Sequence, residues 1–139
     1  LRAAVDAADV LTVWRSALVS AHESPFPRPA DVYDALMALA SLARAQVRSW
    51  RGGPPMGSWY DFLLQRNLRF RSQESMSTMA AFGDQRIFSD KNRRMEMQKH
   101  VTMGGGSRNR CLQIYFEMCD GRMQIGYCGA HLDYVTQKT

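Results

Sequence analysis

A chain of 139 residues and 15.8 kDa is long enough to bury a core of its own and fits one domain. No run approaches the roughly 18 apolar residues of a membrane span, and the N-terminus lacks a signal peptide's order of basic, apolar and small residues, so a cytoplasmic protein is expected. A first residue of Leu1 instead of Met reads as a processed product or a fragment of something larger. The net charge of +5 and pI near 9.4 favour a polyanionic partner such as nucleic acid.

In chain order, Arg2 to Ala21 reads as a first helix with Val5, Leu11, Trp14 and Leu18 as its apolar stripe. The prolines of Pro25-Phe-Pro-Arg-Pro29 stop it. A second helix starts at Asp31 as N-cap and runs to about Trp50, with Val32, Leu36, Leu39, Ala43, Val47 and Trp50 facing inward. The two are expected to pair antiparallel, forming a unit over 1–50 that serves as an extension or docking element. Arg51-Gly-Gly-Pro-Pro-Met-Gly57 is a linker, because glycine and proline disfavour both regular structures. An α+β domain is expected over 58–139.

Within it, Ser58 can cap a helix reaching Phe70, and 73–82 reads as a shorter helix. From Gln85 the period becomes two. Arg86 to Ser89 is a short strand, Asp90-Lys-Asn92 a turn, and Arg94 to Met103 one longer strand. The final hairpin, Cys111 to Cys128, turns at Asp120-Gly121. That register sets Met118 opposite Met123, Phe116 opposite Ile125 and Ile114 opposite Tyr127 on an apolar face. Gln113, Tyr115, Glu117, Cys119, Arg122 and Gln124 fall on the other, polar face. The fold expected is α+β, with N-terminal helices packed on a C-terminal four-stranded antiparallel sheet.

Cys111, Cys119 and Cys128 with His131 have the composition of a zinc site. The hairpin puts Cys111 and Cys119 at opposite ends of one strand, about 26 Å apart at roughly 3.3 Å per residue. One tetrahedral ion cannot take both, so no metal or other cofactor is expected. Nine methionines read as filler of irregular core gaps.

Basic residues concentrate in the second half: Arg66, Arg69 and Arg71; Arg86, Lys91, Arg93, Arg94 and Lys99; Arg108, Arg110 and Arg122. A solvated, solubilising surface explains them as well as a binding surface does. The candidate site gathers His100, Arg110, Tyr115, His131 and Tyr134, with Arg93, Arg94 and Arg108 around it. Cation, imidazole and phenol suit phosphodiester chemistry: a guanidinium stabilises charge on the phosphate, and His or Tyr moves protons near neutral pH. The plainer reading has Tyr115 covering the sheet and His131 capping a chain end. Met103-Gly-Gly-Gly-Ser-Arg-Asn-Arg110 offers glycines beside arginines, but lacks a P-loop's Gly-Lys-Ser/Thr ending and precedes a strand. It reads as a hairpin connection whose Arg108 and Arg110 can touch phosphate.

The run Ile125-Gly-Tyr-Cys-Gly-Ala-His-Leu-Asp-Tyr134, after helices and antiparallel strands, resembles the RelE/ParE superfamily of toxins over roughly Ser58 to Tyr134. The resemblance implies a small basic protein that cleaves messenger RNA without metal. It further implies that Arg93, Arg94 or Arg110 would hold phosphate and that Tyr115, His131 or Tyr134 would serve as acid or base. With the residue reading above, the expected catalytic set is Tyr115, His131, Arg110 and Tyr134, and the expected phosphate-binding set Arg93, Arg94, Arg108 and His100. RNA is the partner implied in preference to DNA, in a toxin or antiviral-defence setting. The rival expectation is a non-catalytic module that binds nucleic acid or protein within a larger assembly, the N-terminal helices being its docking element.

Overall fold

The stretch expected to be one helix from Arg2 to Ala21 is divided in the computed structural model, which describes residues 2–105 and 107–136 and, of Arg108, only the backbone. Helix α1 covers Arg2–Asp6, strand β1 covers Leu11–Val13 and helix α2 covers Arg15–Glu23. The helical stripe fails because Leu11, Thr12 and Val13 pair in parallel with Met123, Gln124 and Ile125. Two further bonds frame the pairing, from Met123 N to Val10 O and from Trp14 N to Ile125 O. Tertiary pairing overrides a weak local preference, leaving Val5 76% exposed while Trp14 is fully buried.

Helix α3, Pro29–Trp50, starts two residues before the expected cap, with Pro29 in its first turn and Asp31 receiving Arg28 Nε at 2.5 Å. Its apolar face buries Leu36, Leu39 and Ala43, whereas Trp50 at its end is exposed. Burial of each leucine contributes about 1.5–3 kcal/mol. Ser58 caps helix α4, Trp59–Leu64, by accepting from Asp61 N at 3.2 Å. The expected helix to Phe70 ends early, at a turn where Asn67 has φ 61°, and Arg69–Arg71 forms strand β2. Helix α5 spans Met76–Phe82.

The anticipated strand from Arg94 to Met103 is two strands in different sheets. β3, Ile87–Asp90, and β4, Arg93–Glu96, make a separate two-stranded ribbon. After Met97 turns inward, β5, His100–Gly104, joins β6, Cys111–Cys119, and β7, Arg122–Gly129. The expected four-stranded antiparallel sheet is therefore a five-stranded mixed sheet ordered β1-β7-β6-β5-β2, parallel only between β1 and β7.

The β6–β7 turn forms at Asp120-Gly121, with φ 54° and 73°. Phe116 faces Ile125 and Met118 faces Met123 as anticipated, but a bulge at Gly126 shifts the remainder, so Ile114 pairs with Cys128 and Tyr127 with Tyr115. The sheet thus has two covered faces. Leu112, Ile114, Phe116, Met123 and Ile125 join α3 in the main core, which includes residues from both sides of the Arg51–Gly57 connection. On the opposite face Trp14, Phe88, Met97 and Tyr115 form a second cluster. The face expected to be polar and open is polar yet buried: Gln113 is 2% and Gln124 4% exposed. Among the described residues no helix is long and apolar enough to cross a membrane.

Candidate functional site

Strands β2 and β5 lie side by side with Arg71 opposite His100 and Arg69 opposite Thr102. Alternation sends Phe70 and Val101 into the main core, and turns Arg69, Arg71, His100 and Thr102 to the other face. There they line a cleft of about 1200 Å3, whose far wall is the segment containing His131 and Tyr134. That segment is tied down at several points. Leu132 N donates to Gln113 Oε1 at 2.8 Å, Asp133 N to Gln85 Oε1 at 3.0 Å and Val135 N to Thr78 Oγ1 at 3.0 Å.

Beneath the cleft lies a buried polar quartet. Arg86, with no exposed surface, donates from Nε to Glu74 Oε2 at 2.6 Å, and Tyr115 Oη donates to the same oxygen at 2.6 Å. His100 stacks on Tyr115 with ring centroids 4.5 Å apart and 21° between planes. Its Nδ1 stands 2.9 Å from the Gln98 carbonyl oxygen. A carbonyl only accepts, so Nδ1 carries the proton and Nε2, 3.9 Å from Glu74 Oε1, keeps its lone pair in the neutral ring.

Burial pushes the His100 imidazole down, against the opposing pull of the Gln98 carbonyl and Glu74. Burial also opposes ionisation of Glu74. The hydrogen bond from Tyr115, with His100 and Arg86, outweighs it and holds the carboxyl below the usual range. Burial and the bond to Glu74 raise the Tyr115 phenol. Tyr115 is therefore a neutral donor committed to Glu74.

His131 has the same tautomer: Nδ1 lies 2.7 Å from the Leu132 carbonyl oxygen, and Tyr134 packs on its ring at 4.7 Å between centroids. The cleft thus presents two imidazoles, each with Nδ1 tied to backbone. Two imidazoles, each able to take up and return a proton at Nε2, and rim guanidiniums at one opening suit proton transfer at a bound anion.

Of the residues expected from sequence, His100, His131 and Tyr134 come together here, with Tyr115 buried behind His100. Arg110 does not line the cleft; it is exposed on the turn before β6, its carbonyl accepting from Gly105 N at 3.2 Å. Arg93 lies with Cζ 4.9 Å from the Trp14 ring centroid and bonds Asp90 at 3.0 Å, and Arg94 is exposed on the same ribbon. Gly106 and the Arg108 side chain fall outside the described residues. In the sequence Arg69, Arg71 and Arg86 stand out only as part of a basic background, and nothing marks Glu74. The alternation Arg69-Phe-Arg71 was the available signal, a two-residue period with both charges on one face.

Cys111 and Cys119 stand at the two ends of β6. Among the described residues no three His, Cys, Asp or Glu side chains converge as a metal site. No family model, curated protein or solved structure matches the chain.

Proposed function

We propose that this cleft binds single-stranded RNA and cleaves it without a metal ion, as an endoribonuclease of toxin type. The observation that carries the reading is the meeting of His100 and His131 in one cleft, each with Nδ1 bonded to a backbone carbonyl, between the arginines of β2 and the wall of 130–136. His100, neutral through burial, accepts the ribose 2′-hydroxyl proton at Nε2. The 2′-oxygen attacks phosphorus, the bond to the 5′-oxygen breaks, and His131 in its imidazolium form delivers a proton to that leaving oxygen. The products are a 2′,3′-cyclic phosphate and a 5′-hydroxyl. Arg69 and Arg71 hold the phosphate. The RelE/ParE-like pattern belongs to the same proposal, its histidine and tyrosine being the cleft's His131 and Tyr134.

The test is cleavage of a fluorescent single-stranded RNA in excess chelator by the wild-type protein, His131→Ala and His100→Gln. Each substitution is expected to lower the rate by at least about 100-fold while RNA affinity stays near wild type. Unchanged cleavage in both variants refutes the assignment. A wild-type protein that binds RNA and leaves it intact is a binding module.

A further inference from the structure

We propose that Glu74 is the positioning residue of this cleft: a carboxylate clamped by Tyr115 and Arg86, set 3.9 Å from His100 Nε2 to receive the imidazolium formed when that nitrogen takes a proton. The inference rests on His100 as the proton acceptor of the ribonuclease reading and extends it to what makes so buried an acceptor usable.

His100 is 3% exposed, so its charged form has almost no water to stabilise it. Four groups face the ring, Glu74 from the segment before α5, Arg86 from the turn after it, Tyr115 from β6 and His131 from the last segment, and the cationic Arg71 of β2 stands beside His100 on the same face of the sheet. Arg86 and His131 both oppose a positive charge, and Tyr115 offers a flat neutral surface. Glu74 alone of the four supplies a negative charge, and its geometry is fixed from several sides. Oε2 receives both Tyr115 Oη and Arg86 Nε, leaving Oε1 towards His100. Glu74 N donates to Gln98 Oε1 at 3.0 Å, while the Gln98 carbonyl receives His100 Nδ1. One residue, Gln98, therefore registers carboxylate and imidazole against each other. The proton moves from the substrate 2′-oxygen to Nε2, and the positive charge then spread over the ring is stabilised through space by the ionised Glu74 carboxylate 3.9 Å away. Glu74 itself accepts no proton and touches no reacting atom.

The pairing is read without RNA. In the wild-type protein, the His100 ring and the Glu74 carboxyl carbon are followed by NMR as pH is lowered, and both are expected to shift with a common midpoint. In Glu74→Gln the His100 midpoint is expected to fall by at least about one pH unit, and in Glu74→Asp, which keeps the charge, by less. Tyr115→Phe keeps the stacked ring and is expected to keep His100 coupled to Glu74. A Glu74 carbon silent through the His100 midpoint overturns the proposal, as does an unchanged midpoint in Glu74→Gln. If Glu74→Gln does not fold, the wild-type measurement decides alone. Where the wild type cleaves RNA, the acid limb of kcat/KM is expected to move to lower pH in Glu74→Gln together with the His100 midpoint. Coupled resonances in a protein that cleaves nothing discard the ribonuclease reading and leave the pairing standing.

Discussion

Tyr115 stands directly opposite Tyr127, with their rings edge to face at 6.0 Å between centroids, because Gly126 is left unpaired in β7. The bulge turns Tyr127 to the face that carries His100 and lets Cys128 enter the main core. A Cβ at Gly126 would lie 2.7 Å from Met97 Sδ and 2.9 Å from Phe88 Cδ2. Met97 can yield at its flexible end, but the Phe88 ring, packed between Tyr115 and Tyr127, cannot. Gly126→Ala is expected to cost about 1–3 kcal/mol of stability, measured by urea unfolding.

The Arg86–Glu74 pair predicts a marked asymmetry between single and double substitution. Arg86→Met leaves a buried carboxylate without its guanidinium and is expected to cost roughly 3–5 kcal/mol. Adding Glu74→Gln removes the orphaned charge and is expected to recover part of that loss. A double variant less stable than Arg86→Met in denaturant titrations contradicts this account.

Acid should destabilise the protein in two stages. His100 is held below its ordinary 6.5 by burial, so below that pH the unfolded chain takes up a proton that the folded one resists, and stability falls. Glu74 is held below its ordinary 4.5 despite burial; its contribution is full above that pH and is lost as pH falls through the lower folded value. Urea midpoints measured from about pH 7.5 down to about pH 2 should decline first below the ordinary histidine value and again below the ordinary carboxyl value. His100→Gln should flatten the first stage.

Thiol reactivity should follow position in the hairpin. Burial pushes Cys128 up to about 12 and raises Cys111, and both are buried. Cys119, beside the turn, is only partly covered. An aromatic disulfide reagent should label Cys119 first in the native protein and reach Cys128 only after unfolding. Fast native labelling of Cys128 would show that β7 opens locally.

For nucleic acid, the arginines of β2 rather than those of the ribbon should matter. Arg71→Ala is expected to weaken RNA binding and reduce the salt slope by about one. Arg94→Ala, on the exposed ribbon away from the cleft, should leave both near wild type. Fluorescence anisotropy over a salt series distinguishes them.

The legible parts of the fold were those with local chemistry. Asp120-Gly121 specifies its turn through backbone conformation, Ser58 its cap through one side-chain oxygen, and α3 its face through helical spacing. Strands β1 and β2 are three residues each, too short for a period to show, and exist because β7 and β5 offer them partners. The bulge at Gly126 was hidden because a single unpaired residue leaves the apolar pattern plausible on either side. For the site, two histidines and a tyrosine could be picked out by chemical type. Glu74 and Arg86 could not, since nothing local in either segment says that a carboxylate and a guanidinium will be buried together.

The pairing of β1 with β7 also sets an order of events during folding. Trp14 Nε1 donates to Gln124 Oε1 across 110 positions of sequence, and among the described residues Leu11–Val13 has its sheet partner only in Met123–Ile125. The entropy of closing so long a loop must be met before that contact gives any return. A nascent chain therefore carries Leu11 to Val13 without their strand partner, and Trp14 without its hydrogen-bond acceptor, until β7 emerges, and the wall of the cleft follows β7 in the chain.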